Sequence, residues 1–393
     1  MANPRTSTRR GPRTALVLSG GGARGAYQAG VLQGLLEHGF VSKDVSSFDI
    51  LVGSSAGSIN SGLLAAFADQ FARGVDALTQ VWSSIEAKDV FRTDIASLGR
   101  IGARWAWDLS FGGATRHVQP KSLLDTAPLR KLLSAKIPLG RIDGNVERGA
   151  LRALAIPATD LYASNGVLFV QAAPAVELWT RARWSIERTR IEVEHLMASS
   201  AIPVFFPSVP IQGRHFGDGS IRNTAPLSHA IHLGAERIVA VAVREPGKPS
   251  APPRRKGPGP PPTLAQIAGV LLDAVMLDAI EVDVEHSERV NTSVIGYPGS
   301  DGREPFRYVD VLWLSPSQDF GEIAAELADR IPGVVRYLLR GLGSDDAVTE
   351  LASYLLFDTV YCGRLIAAGR SDVAAERARI AAFFAKPPAA TPR

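Results

Sequence analysis

The run Phe48-Asp49-Ile50-Leu51-Val52 leads straight into Gly53-Ser54-Ser55-Ala56-Gly57 and then into the apolar-periodic Ser58-Ile59-Asn60-Ser61-Gly62-Leu63-Leu64. That order predicts strand, sharp turn and helix, with a serine at the apex and glycine two residues to either side. The glycines answer a steric demand. A turn this tight forces its apical residue into strained backbone angles, and side chains at the flanking positions would collide with it. It also exposes the Ser55 hydroxyl and aims a helix N-terminus at it, so developing negative charge meets free N–H groups and a positive dipole end. A chain with 37 glycines meets Gly-x-Ser-x-Gly easily by chance, so the pentapeptide needs company before it assigns any chemistry.

A second unit of the same kind precedes it. Residues 14–19 read as a buried strand, followed by Gly20-Gly21-Gly22-Ala23-Arg24-Gly25. A helix comes next with Tyr27, Val31, Leu35 and Leu36 on one face and Gly39 as its stop. Two successive strand–loop–helix units imply an α/β class with a mostly parallel sheet. Further strands are expected at 150–159, 167–171, 237–243 and 309–314, and helices at 192–197, 227–233 and 264–291. Residues 75–133 and 320–384 read as mostly helical, and 215–220 as a turn-rich piece ending near Asp218. No internal repeat is visible.

Apolar residues make up 46% and charged residues 21%, ordinary for a globular protein with a sizeable core. One cysteine, Cys362, excludes an internal disulfide and suits a reducing compartment. The net charge is +4, and Arg5, Arg9, Arg10 and Arg13 supply much of it, so no nucleic-acid partner is expected and residues 1–13 read as a disordered basic start. No apolar segment follows those arginines as a signal peptide requires. The best apolar run, 267–284, is broken by Asp273, Asp278, Glu281 and Asp283, so no membrane span is expected. The expectation is a cytoplasmic protein, at most peripheral to membranes. A catalytic domain at 14–315 is expected to carry a Pro-rich flexible loop at 246–262 with Arg254, Arg255 and Lys256, and 316–393 to form a helical C-terminal extension.

Acyl transfer by serine needs a nucleophile, a base and donors for an oxyanion. Ser55 supplies the first, and the Ala56 N–H is a natural donor. A second donor is expected from a glycine-rich loop at the end of a neighbouring strand, where residues 20–25 lie. That loop also spells the Gly-x-Gly-x-x-Gly of dinucleotide-binding folds, which need an acidic residue at the far end of the second strand. Here that strand ends in Val52-Gly53-Ser54 and its acid, Asp49, lies near the start, against nucleotide binding. An α/β-hydrolase would need a late-loop histidine. His229, His232 and His286 fall on predicted helices instead, while His215 lies three residues before Asp218, close enough in sequence to line a site.

Four blocks, Gly-Gly-Gly-Ala-Arg-Gly, Gly-Ser-Ser-Ala-Gly, Ala-Ser-Ser-Ala-Ile-Pro-x-x-Phe and Asp-Gly-Ser, occur in order over residues 14–245. Together they resemble the patatin-like phospholipases. The resemblance implies a three-layer α/β/α fold, a Ser–Asp dyad and hydrolysis of lipid acyl esters without metal or other cofactor. Carried over by motif, Ser55 is the nucleophile and Asp218 the base. Gly20, Gly21, Gly22, Arg24 and Ala56 belong to the oxyanion hole, and Gly53 and Gly57 flank the elbow. Asp218-Gly219-Ser220 departs slightly from the family's commoner Asp-Gly-Gly or Asp-Gly-Ala, but keeps the carboxylate position. A solvated aspartate, with pKa about 3.9, is a poor base for a serine hydroxyl, so burial is expected to raise it. The implied substrate is a phospholipid or lysophospholipid. A general carboxylesterase or thioesterase, or a catalytically silent lipid-surface scaffold, stays open beside it. Trp105, Trp107 and Phe111 suit either an interfacial lid or core packing.

Overall fold

The structure is a computed structural model, and it describes residues 12–92, 122–247, 280–296, 307–333, 335–336 and 351–385. The arginines at 5, 9 and 10, the aromatics at 105, 107 and 111 and the basic run 254–256 lie outside the described residues.

Two strands carry the centre of the sheet, β1 (Thr14–Leu18) and β2 (Ile50–Gly53), buried along their whole length. Complete burial explains why they read as unbroken apolar runs: helices cover both faces. They pair in parallel with Leu18 opposite Gly53, so their C-terminal ends finish level. The loop after β1 and the turn after β2 therefore leave the sheet side by side, at the edge where open α/β sheets bind ligands. β3 (Ala153–Asp160), β4 (Asn165–Ala172) and β5 (Trp184–Arg188) extend the sheet on the β2 side. The hairpin β6 (Val209–Ile211) and β7 (Arg214–Gly217) attaches antiparallel to the last residues of β3. β8 (Arg237–Val241) and β9 (Asp310–Leu314) continue in parallel beyond β1.

The expected sheet and its mostly parallel character are present, and β5, β6 and β7 are additions. Residues 215–220 read as a turn-rich piece and 209–214 carry no assigned element in the sequence, because a strand of three or four residues shows little periodicity. In the fold residues 209–217 make a hairpin whose corner, Gln212-Gly213, has positive φ at both residues (49° and 79°), the geometry that matches strand twist.

One face of the sheet packs Leu16, Leu18, Leu51 and Leu154 against α1 (Ala26–Glu37), α2 (Ala56–Ala66) and α3 (Phe71–Ser84). On the same side lie the short α4 (Ala87–Val90), α5 (Ala127–Lys136), α6 (Arg141–Glu147) and α7 (Val193–Ser199). The other face packs Ala15, Val17, Ile50 and Val52 against α8 (Pro226–His232) and α9 (Ile280–Gly296). The result is three layers, α/β/α.

The C-terminal helices α10 (Phe320–Glu326), α11 (Thr359–Ala375) and α12 (Arg377–Ala385) share the first of these cores. α11 lies against α1 so closely that a Cβ on Gly30 would sit 2.1 Å from the Ile366 carbonyl oxygen, and one on Gly369 would sit 2.5 Å from that of Tyr27. The Tyr27 hydroxyl donates to Asp372 Oδ2 at 3.0 Å, and burial, then the Asp372 charge, pushes that phenol well above its ordinary pKa. This contact accounts for a mismatch with the sequence pattern. α1 is buried on nearly every side, because α11 packs closely along it as well. Among the described residues no helix is long and apolar enough to cross a membrane.

Candidate active site

Ser55 has φ 51° and ψ −124°, a left-handed conformation that costs a non-glycine residue free energy and persists only where its surroundings over-determine it. The surroundings are visible. A Cβ on Gly57 would lie 2.3 Å from the Leu18 carbonyl oxygen, and one on Gly53 would lie 2.1 Å from that of Gly57. Both elbow glycines are thus required by contact with the backbone, as the motif demands. Two serines from the end of α7 then pin the apex. The Ser55 N–H donates to Ser199 Oγ at 3.1 Å, and the Ser200 hydroxyl donates to the Ser55 carbonyl at 3.1 Å. A third hydroxyl, on Ser58, donates to the same carbonyl at 2.6 Å. The Ala-Ser-Ser-Ala block therefore acts as a clamp on the Ser55 backbone, a role its sequence alone did not reveal.

Asp218 follows β7 and is wholly buried. Its backbone is held at both ends: its N–H donates to the Ala201 carbonyl at 3.0 Å, and its own carbonyl accepts from Thr159 at 2.9 Å. Oδ1 accepts the Ser220 N–H at 2.8 Å, while Oδ2 is buried without a well-directed donor. Burial pushes the carboxyl up to about 6, against the opposing pull of the Ser220 N–H, the Ser55 hydroxyl and the Ser220 hydroxyl. The Ser55 hydroxyl is thus near enough to act on the carboxyl. Gly20 packs against Ser55 and Ser220, since a Cβ there would be 3.0 Å from Ser55 Cβ and 2.7 Å from Ser220 Oγ.

Gly22 lines one cavity together with Ser55 and Ala56. Among the described residues no acceptor takes the N–H of Gly21, Gly22 or Ala56. The Arg24 side chain goes elsewhere. Its guanidinium is buried, donates to Ser353 Oγ at 2.8 and 2.5 Å and lies 4.1 Å over the Tyr354 ring, holding the C-terminal segment against the glycine loop. Behind the loop runs a buried polar network that the sequence did not signal. Gln28 Nε2 donates to the Ser19 carbonyl (2.9 Å), and Asn60 Nδ2 donates to Gln28 Oε1 (2.8 Å) and the Gly25 carbonyl (3.1 Å). Trp82 Nε1 donates to Asn60 Oδ1 (2.9 Å), so α1, α2 and α3 are tied to both ends of the loop.

His215 points away from this centre. Its Nδ1 lies 3.0 Å from Ser208 Oγ, and its ring meets Tyr162 edge-on. His229 lies on α8, bonded to Asn223, which donates to Ser54 Oγ at 2.8 Å. Burial, then the charges of Arg181 and His232, lowers His229 to about 3 and keeps it neutral.

The cavity beside Ser55 holds about 500 Å³, part of it open to solvent. Its walls are apolar: Val81, Trp82 and Ile85 from the α3 side, Leu129 and Leu133 from α5, and Phe206. A hydroxyl at one end and hydrocarbon beyond suits a ligand with a polar head and an aliphatic tail.

A patatin-like phospholipase family model matches residues 16–231, more than half of the chain and all four sequence blocks. This chain belongs to the patatin-like phospholipase family. Uncharacterized protein YjjU of Escherichia coli (strain K12) is 25% identical to this patatin-like protein over 236 residues, covering 58% of the chain and 51% of the relative. The chain thus spans about half the length of that curated relative. Among solved structures, VipD from Legionella pneumophila aligns over 77% of this chain and 61% of its own, with 14% identity and a TM-score of 0.35. Full-length ExoU of Pseudomonas aeruginosa, in complex with SpcU, aligns over 88% of this chain and 70% of its own, with 14% identity and a TM-score of 0.29.

Proposed function

We propose that this patatin-like protein is a lipid acyl hydrolase that works through an acyl-Ser55 intermediate with Asp218 as its base. The observation that carries the reading is the pairing of a strained, buried serine with a buried carboxyl raised to about 6. A carboxyl near 6 is ionised at neutral pH, yet holds a proton more tightly than a solvated aspartate by about 3 kcal/mol, at 1.36 kcal/mol per unit. That narrows the gap to the serine hydroxyl.

In the first half-reaction the Ser55 oxygen attacks the ester carbonyl carbon and its proton passes to Asp218. The oxyanion takes the N–H groups of Gly21 or Gly22 and Ala56, for which no acceptor is seen among the described residues. Collapse breaks the ester C–O bond and the leaving alcohol takes the proton from Asp218. A water then gives its proton to the same carboxylate as it attacks the acyl carbon; the bond from that carbon to Ser55 Oγ breaks, Oγ takes the proton back from Asp218, and the fatty acid is released. The apolar cavity favours a long aliphatic acyl group over the short acids of a general esterase, and a phospholipid or lysophospholipid supplies one.

Ser55→Ala and Asp218→Asn should each lower turnover of a fluorogenic phospholipid by at least about a thousandfold with the fold intact, in line with loss of a nucleophile or its base. A fluorophosphonate probe should label wild type and not Ser55→Ala. Undiminished turnover in either folded variant overturns the dyad.

A further inference from the structure

The family match ends at residue 231, yet the cavity has a wall that comes from far beyond it. Phe357 lines that wall, 7% exposed. Its ring stacks on Trp82 (centroids 6.5 Å apart, planes at 13°) and meets Phe91 edge-on at 6.2 Å. Phe91 in turn packs on Phe206, 6.2 Å away. Trp82, Phe206 and Phe357 therefore line the cavity as rings, with Phe91 bridging the last two, and the C-terminal segment contributes one of the lining rings.

The same segment is fastened beside the nucleophile. Tyr354 presents its carbonyl oxygen to Gly22, where a Cβ would approach it to 2.1 Å. Ser353 accepts both Arg24 bonds, and Ser353 and Arg24 are buried together. Phe357 follows Tyr354 by three residues and lines the same cavity as Gly22, Ser55 and Ala56. Trp82, its stacking partner, has its ring edge 2.9 Å from where a Gly25 Cβ would stand, inside the same loop.

We propose that Phe357 is a specificity-determining residue that limits the width of the acyl group next to the scissile carbonyl, and that the Arg24–Ser353 bonds hold it in position. The inference rests on the hydrolase reading and deepens it: the substrates selected are esters of unbranched fatty acids. Branching at the carbon beside the carbonyl needs space that the Phe357 and Trp82 rings occupy. A rigid aromatic wall discriminates shape because the interior cannot deform without lost contacts.

The test compares kcat/KM on p-nitrophenyl octanoate, 2-ethylhexanoate and acetate. The first two acyl groups are isomers, so their ratio reports shape and not hydrophobicity. Wild type should prefer the linear isomer, and Phe357→Ala should raise the branched-to-linear ratio about tenfold with acetate turnover within about threefold, the scale at which a hydrophobic pocket discriminates small groups. Ser353→Ala should shift the ratio in the same direction by about threefold. An unchanged ratio in Phe357→Ala, with acetate still turned over, overturns the inference and leaves the hydrolase reading standing. An unchanged ratio in Ser353→Ala overturns the role of the Arg24–Ser353 bonds. A wild type inactive on every ester overturns the hydrolase reading and this inference with it.

Discussion

The Ser55 N–H donates to the hydroxyl of Ser199 across 144 residues of sequence, at 3.1 Å. Through this bond the helix that ends at Ser199 governs the backbone of a residue held at φ 51°. Removing the acceptor leaves a buried N–H unpaired at a strained site, and an unpaired buried donor costs about 1–3 kcal/mol. Ser199→Ala is therefore expected to lower stability by that amount and to lower kcat more than it raises KM. Thermal melts and steady-state kinetics check both.

With Asp218 as the proposed base, its carboxyl is expected to set the acid limb of the pH profile. Its carboxyl must be ionised to accept a proton, and burial raises it to about 6. The kcat/KM of wild type should rise as pH increases through about 6 and level off above it. A limb centred near 4 would mean that another group, or a solvated Asp218, governs the reaction.

The same burial has a cost in stability whose sign is fixed. Folded Asp218 binds its proton up to about 6, while the unfolded chain releases it near 3.8. Between those values the folded state carries more protons than the unfolded, so its stability falls as pH rises. The loss is complete above about 6 and amounts to about 3 kcal/mol at 1.36 kcal/mol per unit. Asp218→Asn does not titrate, so its melting temperature relative to wild type should climb from pH 4.5 to pH 7.5. A difference that is flat or falls with pH contradicts the raised carboxyl.

Close approach of α1 and α11 makes the C-terminal helix a structural necessity. Gly369 meets the Tyr27 carbonyl oxygen and the Val31 nitrogen at 2.5 and 2.7 Å from where its Cβ would stand. Backbone cannot yield there as a flexible side chain would. Gly369→Val should separate the helices and cost more than about 3 kcal/mol, the upper range for overpacking. Chemical denaturation measures it, and a loss under about 1 kcal/mol would show that the two helices part freely.

Local chemistry was legible without the fold. The alternation of apolar runs with glycine-rich turns located β1 and β2, and steric need at Gly53 and Gly57 announced the elbow before any coordinate. These features depend on residues a few places apart, where backbone sterics and side-chain period act directly. The positions of Ser55 and Asp218 were readable too, as motif members, and the resemblance implied their pairing, but the contacts that bury Asp218 were not legible. β5, β6 and β7 escaped because short, partly polar strands carry little periodic signal and owe their pairing to β3 and β4.

What only tertiary structure decided is where long-range contacts win over local pattern. Arg24 sits inside the glycine loop by sequence, yet its guanidinium turns to Ser353, 329 residues on, because a buried cation needs acceptors and that segment brings one. Burial of Asp218 arises from elements far apart in the chain, the β7 turn, the Ala201 carbonyl and Thr159, and no local window contains them. Sequence by itself determined that a serine elbow exists here. Folding decided how deeply Asp218 is buried and how strongly its carboxyl holds a proton, and it brought a phenylalanine from far along the chain to the wall of the cavity that Ser55 lines.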